Sequence, residues 1–122
     1  MVWFFRKKRR RPEERYERTI RFVGEQDGPI ERDLKADLLH VFIARPELRA
    51  AYLVRATYDS PEGEEVILAV RSSSGEDNDL VRRIAECFGR HFSKEVHMDI
   101  MFLSDAREAE VRSVCTPFYQ AA

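Results

Sequence analysis

Apolar residues in this chain switch repeatedly between two spacings, and this switch constrains the fold more than any other feature. Residues 19–23 alternate apolar and polar side chains, with Ile20 and Phe22 on one side, which is typical of a β-strand. A helix over residues 12–23 remains open, because Tyr16, Ile20 and Val23 are spaced four and three apart. We favour the strand, which would end at a glycine and lead into the first long helical pattern.

The helical pattern begins at Asp27-Gly-Pro29, where proline suits the first turn because its missing N–H costs nothing. Its apolar side chains recur at helical spacing and form one broad face: Ile30, Leu34, Leu38, Val41 and Phe42. Pro46 ends the helix, because the residue before a proline is pushed out of the helical region. Residues 51–58 and 65–71 then predict a β-hairpin around the turn cluster 59–63, whose register the sequence leaves open.

A second switch follows in the C-terminal half. Acidic residues after the serine run 72–74 predict a capped helix with Leu80, Ile84, Cys87, Phe88 and His91 on one face. Residues 96–103 alternate as a strand, and Ser104-Asp105 predicts the cap of a last helix that ends at Pro117. This helix would carry Val111, Val114 and Cys115.

The resulting order is β-α-β-β-α-β-α, which predicts an α+β fold. Its first six elements are those of a ferredoxin-like split βαβ sandwich, followed by a closing C-terminal helix. We therefore expect a four-stranded sheet with two helices on one face and the last helix at its end. The domain would span residues 18–122, and residues 1–17 would form an N-terminal tail.

The tail separates the charges of the chain. The whole chain has 21 basic residues, and six of them lie in residues 6–11. The rest of the chain therefore holds 15 basic and 22 acidic residues. Three rings precede these cations, so the segment resembles an interfacial anchor for an anionic membrane surface, at about 1 kcal/mol per cation. A solvated N-terminus and nucleic-acid binding are the alternatives, the latter disfavoured by the acidic body. The residues concerned are Trp3, Phe4, Phe5, Arg6, Lys7, Lys8, Arg9, Arg10 and Arg11.

Composition and motifs narrow the function classes. The chain is 43% hydrophobic and 35% charged, which is ordinary for a globular protein and unlike a disordered one. No apolar run approaches the roughly 20 residues of a membrane span, and no secretory signal is visible, so we expect a cytoplasmic protein, peripheral to the inner membrane face if the tail binds lipid. Cys87 and Cys115 lack metal-ligand or redox spacing, so we expect both to be buried and reduced.

Catalytic chemistry is not expected from this sequence. Phosphate-binding and nucleophile-elbow glycine motifs do not occur, and the three histidines have no metal-ligand spacing between them. His97 and Asp99 would share one face of a strand, roughly 7 Å apart, and need a third element to act. A polar sheet surface is the simpler explanation. We therefore expect no catalytic residue, no metal and no cofactor.

Two separated segments, Arg49-Ala-Ala-Tyr-Leu-Val-Arg55 and Thr116-Pro-Phe-Tyr-Gln120, resemble the C-terminal domain of the bacterial enhanced serine sensitivity (SseB) proteins. The resemblance covers roughly residues 18–122, and we expect the short tail to stand in place of the domain that usually precedes this one in the family. It implies a link to serine or amino-acid metabolism and no established chemistry.

The resemblance concentrates on Tyr52, Phe118 and Tyr119, which are either core aromatics or, with Arg55, a partner-binding surface. The expected function is a small non-catalytic binding or regulatory module, with an unknown protein partner or a second copy of the chain. A peripheral membrane adaptor and an accessory subunit of a metabolic enzyme are the alternatives.

Overall fold

The computed structural model describes residues 20–58, 64–93, 96 and 98–121. These residues form an α+β fold with a mixed sheet, as the sequence predicts. The strands are β1 (Ile20–Glu25), β2 (Leu48–Tyr58), β3 (Glu64–Ser72), β4 (Asp99–Phe102) and β5 (Tyr119–Gln120). The helices are α1 (Pro29–Ile43), α2 (Asn78–Gly89) and α3 (Asp105–Arg112).

The sheet is built around β2. Its neighbours are ordered β1-β2-β3-β4, with β1 and β3 antiparallel to β2 and β4 parallel to β3. Strand β5 also pairs antiparallel with β2, placing Tyr119 opposite Ala51. Because β3 occupies one edge of β2, β5 shares the other edge with β1, which pairs with the far end of β2 from Val54 to Tyr58.

The sheet topology corrects the expected ferredoxin-like sandwich. A split βαβ unit places a third strand between two parallel strands that are joined by a helix. Here α1 instead joins β1 and β2, which are adjacent and antiparallel. Among the described strands, the one parallel pair is β3 and β4, and α2 joins them, as a parallel crossover requires. Periodicity identifies the elements but carries no information on which strands pair.

The core lies on both faces of the sheet, because successive side chains of a strand point to opposite faces. On one face, α1 and α2 bury apolar side chains against the sheet, among them Leu34, Leu38, Phe42, Ala51, Leu53, Leu68, Leu80 and Ile84. The other face carries a second cluster that includes Tyr52, Val54, Ala56, Ile67, Met101 and Val111. Helix α3 therefore packs on the opposite face from α1 and α2, which corrects its expected place at the sheet end.

Element boundaries follow the local sequence signals. Pro29 begins α1, Asp77 accepts a hydrogen bond from Leu80 N (3.1 Å) at the start of α2, and Ser104 accepts one from Arg107 N (3.2 Å) at the start of α3. Strand β4 is shorter than the expected 96–103. Helix α3 ends at Arg112, so Val114 and Cys115 follow the helix.

Several sequence-based expectations lie outside the described residues: the tail 1–17 with its rings and cations, the hairpin turn 59–63, and His97. The His97–Asp99 pairing therefore stays a prediction. Of the three helices described here, none has the length and apolar character to cross a membrane.

Candidate functional site

The structure separates the four residues of the expected partner surface. Tyr52 is completely buried and belongs to the core cluster on the α3 face, so it offers no contact to a partner. Phe118 and Tyr119 are half-buried and pack against the opposite cluster, under α1. Arg55 lies further along β2 and pairs with Glu64 (3.0 Å). The four residues therefore do not form one surface.

The two segments that carry the family resemblance lie side by side. Phe118 N donates to Ala51 O (2.9 Å) and Ala121 N donates to Arg49 O (2.9 Å), so the C-terminal segment extends the sheet at the edge of β2. Thr116 N donates to Glu25 Oε1 (3.1 Å), which fixes the start of the segment against the end of β1. This pairing holds the rings of Phe118 and Tyr119 in place.

Both rings lie against α1. Their centroids are 5.9 Å (Phe118) and 5.5 Å (Tyr119) from that of Phe42, in tilted arrangements that aromatic pairs prefer. The Lys35 ammonium lies 5.6 Å from the centroid of Phe118, within the range of a cation–π contact. Lys35, Phe118 and Tyr119 together form what we call the aromatic surface.

Charged side chains border the aromatic surface. Lys35 Nζ lies 3.2 Å from Asp27 Oδ1 and 3.9 Å from Glu25 Oε2, and Arg32 reaches Asp27 at 3.2 Å. Hydrogen bonds from Lys35 and Arg32 lower the pKa of Asp27 below its usual value, so this carboxylate stays ionised at neutral pH. The arrangement places an aromatic centre within a charged rim.

Tyr52 fixes α3 to the sheet. Its hydroxyl donates to Glu108 Oε2 at 2.6 Å and accepts from Arg112 Nε at 2.8 Å. Burial and, to a smaller extent, the neighbouring Glu108 carboxylate raise the pKa of Tyr52 to about 12, so the hydroxyl keeps its proton. The expectation that a buried tyrosine needs a hydroxyl partner is confirmed, and the partners come from α3.

A polar cluster joins α1 to the end of α2. Asp37 accepts from Arg90 through both carboxylate oxygens (3.2 Å each), and its Oδ2 lies 3.0 Å from His91 Nε2. Cys87 is completely buried beside them. The hydrogen bonds from Arg90 and His91 lower the pKa of Asp37 to about 2, whereas burial and Asp37 raise the pKa of Cys87 to about 12. Both cysteines are buried and free of disulfides, as expected.

Asp37→Asn is expected to destabilise the protein in a pH-dependent manner. The folded-state pKa of Asp37 lies below its usual 3.8, so the carboxylate adds stability above that value and loses it as pH falls towards about 2. Urea unfolding of both proteins at several pH values between about 5 and 2 should show their difference shrinking as pH falls. A difference in unfolding free energy that stays constant with pH would contradict this account. Asp33→Asn, on the exposed side of α1, is the control.

An open depression of about 350 Å³ lies at the end of α1, lined by His40, Val41, Ala44, Arg45, Glu47 and Arg83. Its main cation is already paired, because Arg45 Nη1 lies 2.8 Å from Asp77 Oδ2 and its other terminal nitrogen bonds Asp79. Arg83 pairs with Asp79 at 3.2 Å. The Arg45 ion pairs join the end of α1 to the start of α2, whereas the Arg83 pair lies within α2, and both give the arginines a structural role.

Sequence reasoning missed the cluster of Asp37, Cys87 and His91. The thiol and the imidazole are four residues apart, a spacing that places both on one side of a helix, and this signal was available in the sequence. The contribution of Asp37 from a different helix was not. Asp99, which the sequence places on the same strand face as His97, is buried, and its carboxylate accepts a hydrogen bond from the Tyr58 hydroxyl at 3.3 Å.

Comparison with known families gives one result. The family model described as the SseB protein C-terminal domain matches residues 28–121, which include the long helix α1, the hairpin and the C-terminal aromatic segment. Neither the curated proteins nor the solved structures contain a match to this chain.

Proposed function

The chain belongs to the SseB protein C-terminal domain family, and from that premise we propose that it is a non-catalytic binding module in amino-acid metabolism. Its partner is a protein, and the contact is made by the aromatic surface. The observation that supports this is the position of Phe118 and Tyr119, two half-buried rings held rigidly at a sheet edge beside Lys35. The link to serine or amino-acid metabolism comes from the family resemblance.

The aromatic surface has the composition of a protein interface. Such interfaces are enriched in aromatic residues at the centre, and their rims are polar and accessible to solvent. Phe118 and Tyr119 supply the centre, while Asp27 and Arg32 supply the rim. Because backbone hydrogen bonds already order the segment, a partner would lose little conformational entropy in binding it. A rigid aromatic anchor of this kind suits a binding role.

The partner can be a metabolic enzyme, of which this chain is then an accessory subunit, or a second copy of the chain. We place the module in the cytoplasm. Two groups of described residues that could take part in acid–base chemistry are bonded internally: Asp37 with Arg90 and His91, and Tyr52 with Glu108. This mutual pairing favours a binding role over an enzymatic one.

Capture experiments with the full-length protein test the proposal. Charge reversal by Arg32→Glu alters the rim of the aromatic surface, and Arg82→Glu on α2 is a matched control, because the two side chains are 68% and 63% exposed and each pairs with an aspartate. Phe118→Ala removes one of the two rings of the aromatic centre. Proteins from the native cell should be retained by wild type and Arg82→Glu and lost from Arg32→Glu and Phe118→Ala.

Two results would reject the proposed surface. One is a partner that binds all four proteins equally; the other is a partner lost only when residues 1–11 are removed, which would assign the contact to the tail. Sedimentation of the purified protein distinguishes the homo-oligomer, since Arg32→Glu should then lower the molecular mass of the assembly. A variant that fails a circular-dichroism check of its fold is excluded from the comparison.

A second role, at an anionic membrane surface, is favoured by the three aromatic and six cationic residues in positions 3–11. We expect full-length protein to sediment with vesicles that contain anionic lipid, and a version that begins at Pro12 to remain in solution. Binding should weaken as salt rises, because exposed charges are screened over about 8–10 Å at physiological ionic strength. Replacing Trp3, Phe4 and Phe5 by alanine should weaken it further.

Equal binding to neutral and anionic vesicles would contradict the electrostatic basis of this second role. Stronger binding to nucleic acid than to lipid at physiological salt would assign the cations to a different partner, against the expectation from the acidic body.

A further inference from the structure

We propose that Asp37, Cys87 and His91 form a binding site for a divalent transition metal of the zinc class. One carboxylate oxygen, the thiol sulfur and one imidazole nitrogen all lie within 4.8 Å of one another. The closest pair, Asp37 Oδ2 and His91 Nε2, is 3.0 Å apart. In a tetrahedral site with bonds of about 2.0–2.3 Å, ligand atoms are separated by roughly 3–4 Å, so small side-chain movements complete the geometry.

The chemistry of the three ligands selects the class of metal. Thiolate and imidazole ligands suit Zn²⁺ and its neighbours in the transition series, whereas Mg²⁺ and Ca²⁺ prefer oxygen ligands alone. Three protein ligands leave one tetrahedral position for water or a fourth group. Asp37 and His91 are partly exposed while Cys87 is buried, so that position faces solvent.

The fold holds the ligands without help from a metal. Cys87 lies in the last turn of α2 and His91 follows one turn later, so both point to the same side. Asp37 lies on α1, which packs against α2 through the core residues Leu34, Leu38 and Ile84. Asp37 and Cys87 thus lie on two packed helices, and His91 lies in the turn that ends α2, where its backbone N–H donates to Phe88 O at 3.0 Å. Ligands fixed in this way need less ordering on binding than ligands on loops.

Charge balance also favours a dication. In the structure, Arg90 balances the charge of Asp37. When a metal binds, the sulfur–metal bond forms as the S–H bond breaks, and the proton passes to water. The thiolate and the carboxylate then neutralise the two metal charges. Arg90, whose side chain is 58% exposed, can release Asp37 and turn into solvent.

Cobalt absorption tests the site in the full-length protein. Co²⁺ added to the reduced protein should give a thiolate-to-cobalt charge-transfer band that Zn²⁺ abolishes by displacement. Cys87→Ala should lose this band, while Cys115→Ala, the other buried cysteine, should keep it. Removing a group that only hydrogen-bonds a metal ligand lowers metal affinity by about 10–100-fold. His91→Asn removes a ligand itself, so it should weaken Co²⁺ binding at least tenfold. His40→Asn is the matched histidine control.

The proposal is overturned if folded wild type shows no charge-transfer band at about millimolar Co²⁺, a concentration well above the dissociation constant of a specific site. It is equally overturned if Cys87→Ala and wild type give the same band, or if His91→Asn and His40→Asn bind Co²⁺ alike. Because His91 is partly exposed, His91→Asn decides the result if Cys87→Ala does not fold.

Discussion

Replacing Phe42 by alanine is expected to lower the free energy of unfolding by about 3–5 kcal/mol, the range for removing a large aromatic side chain from a core. Phe42 is completely buried in the core that α1 forms with the sheet. Its ring contacts those of Phe118 and Tyr119, so the loss would include the cavity and both aromatic contacts. Urea unfolding of the two proteins measures the difference.

The same variant should loosen the C-terminal segment more than the rest of the sheet. Amide hydrogen exchange at Phe118 and Ala121, whose N–H groups bond to β2, should speed up more than exchange at the centre of the hairpin. Ile43→Ala is the control: Ile43 is the next residue of α1 and is 72% exposed, so we expect a change within about 0.5 kcal/mol. Equal effects of the two substitutions would contradict the burial of Phe42.

Periodicity predicted the elements whose apolar faces are long or regular. Strand β1 was identified from the alternation of Ile20 and Phe22, and α1 from five apolar positions at helical spacing. Both signals arise because one face of each element is buried, and burial leaves a regular pattern in sequence. Ile30, the first of the five positions, is the exception, since it is 54% exposed. The Pro29 and Ser104 starts were also predicted, because capping and first-turn preferences act within a few residues.

The arrangement of the strands was not predictable in this way. Strand β5 has two residues, too few to show any period, and it exists because β2 extends beyond the part that β1 covers. The placement of α3 was missed for a related reason. Its eight residues carry one buried apolar side chain, Val111, which does not specify a face of the sheet. Pairing and packing of this kind depend on residues distant in sequence.

For the site residues as well, local features were predictable and long-range contacts were not. Tyr52 was expected to be either a core aromatic with a bonded hydroxyl or part of a surface, and the structure supports the first. Its partners Glu108 and Arg112 are 56 and 60 residues away, a distance over which sequence patterns give no pairing. The resemblance segments were recognised separately, and only the sheet shows that they are neighbours, with Ala51 opposite Tyr119.

Removing the Tyr52 hydroxyl tests whether this long-range network stabilises the fold. Tyr52→Phe keeps the ring and deletes a hydrogen bond to a carboxylate and one from a guanidinium, so we expect a loss of about 2 kcal/mol in the free energy of unfolding. Tyr119→Phe, at a half-buried ring near the surface, should change it by less than about 0.5 kcal/mol.

A double-mutant cycle identifies the origin of that loss. If the 2.6 Å bond to Glu108 carries it, Tyr52→Phe and Glu108→Ala should be non-additive, because each removes the same interaction. The expected coupling is about 1 kcal/mol, lower than for a fully buried pair because Glu108 is partly exposed to solvent. Strict additivity would mean that the loss does not come from the bond to Glu108, and would assign it to the bond from Arg112.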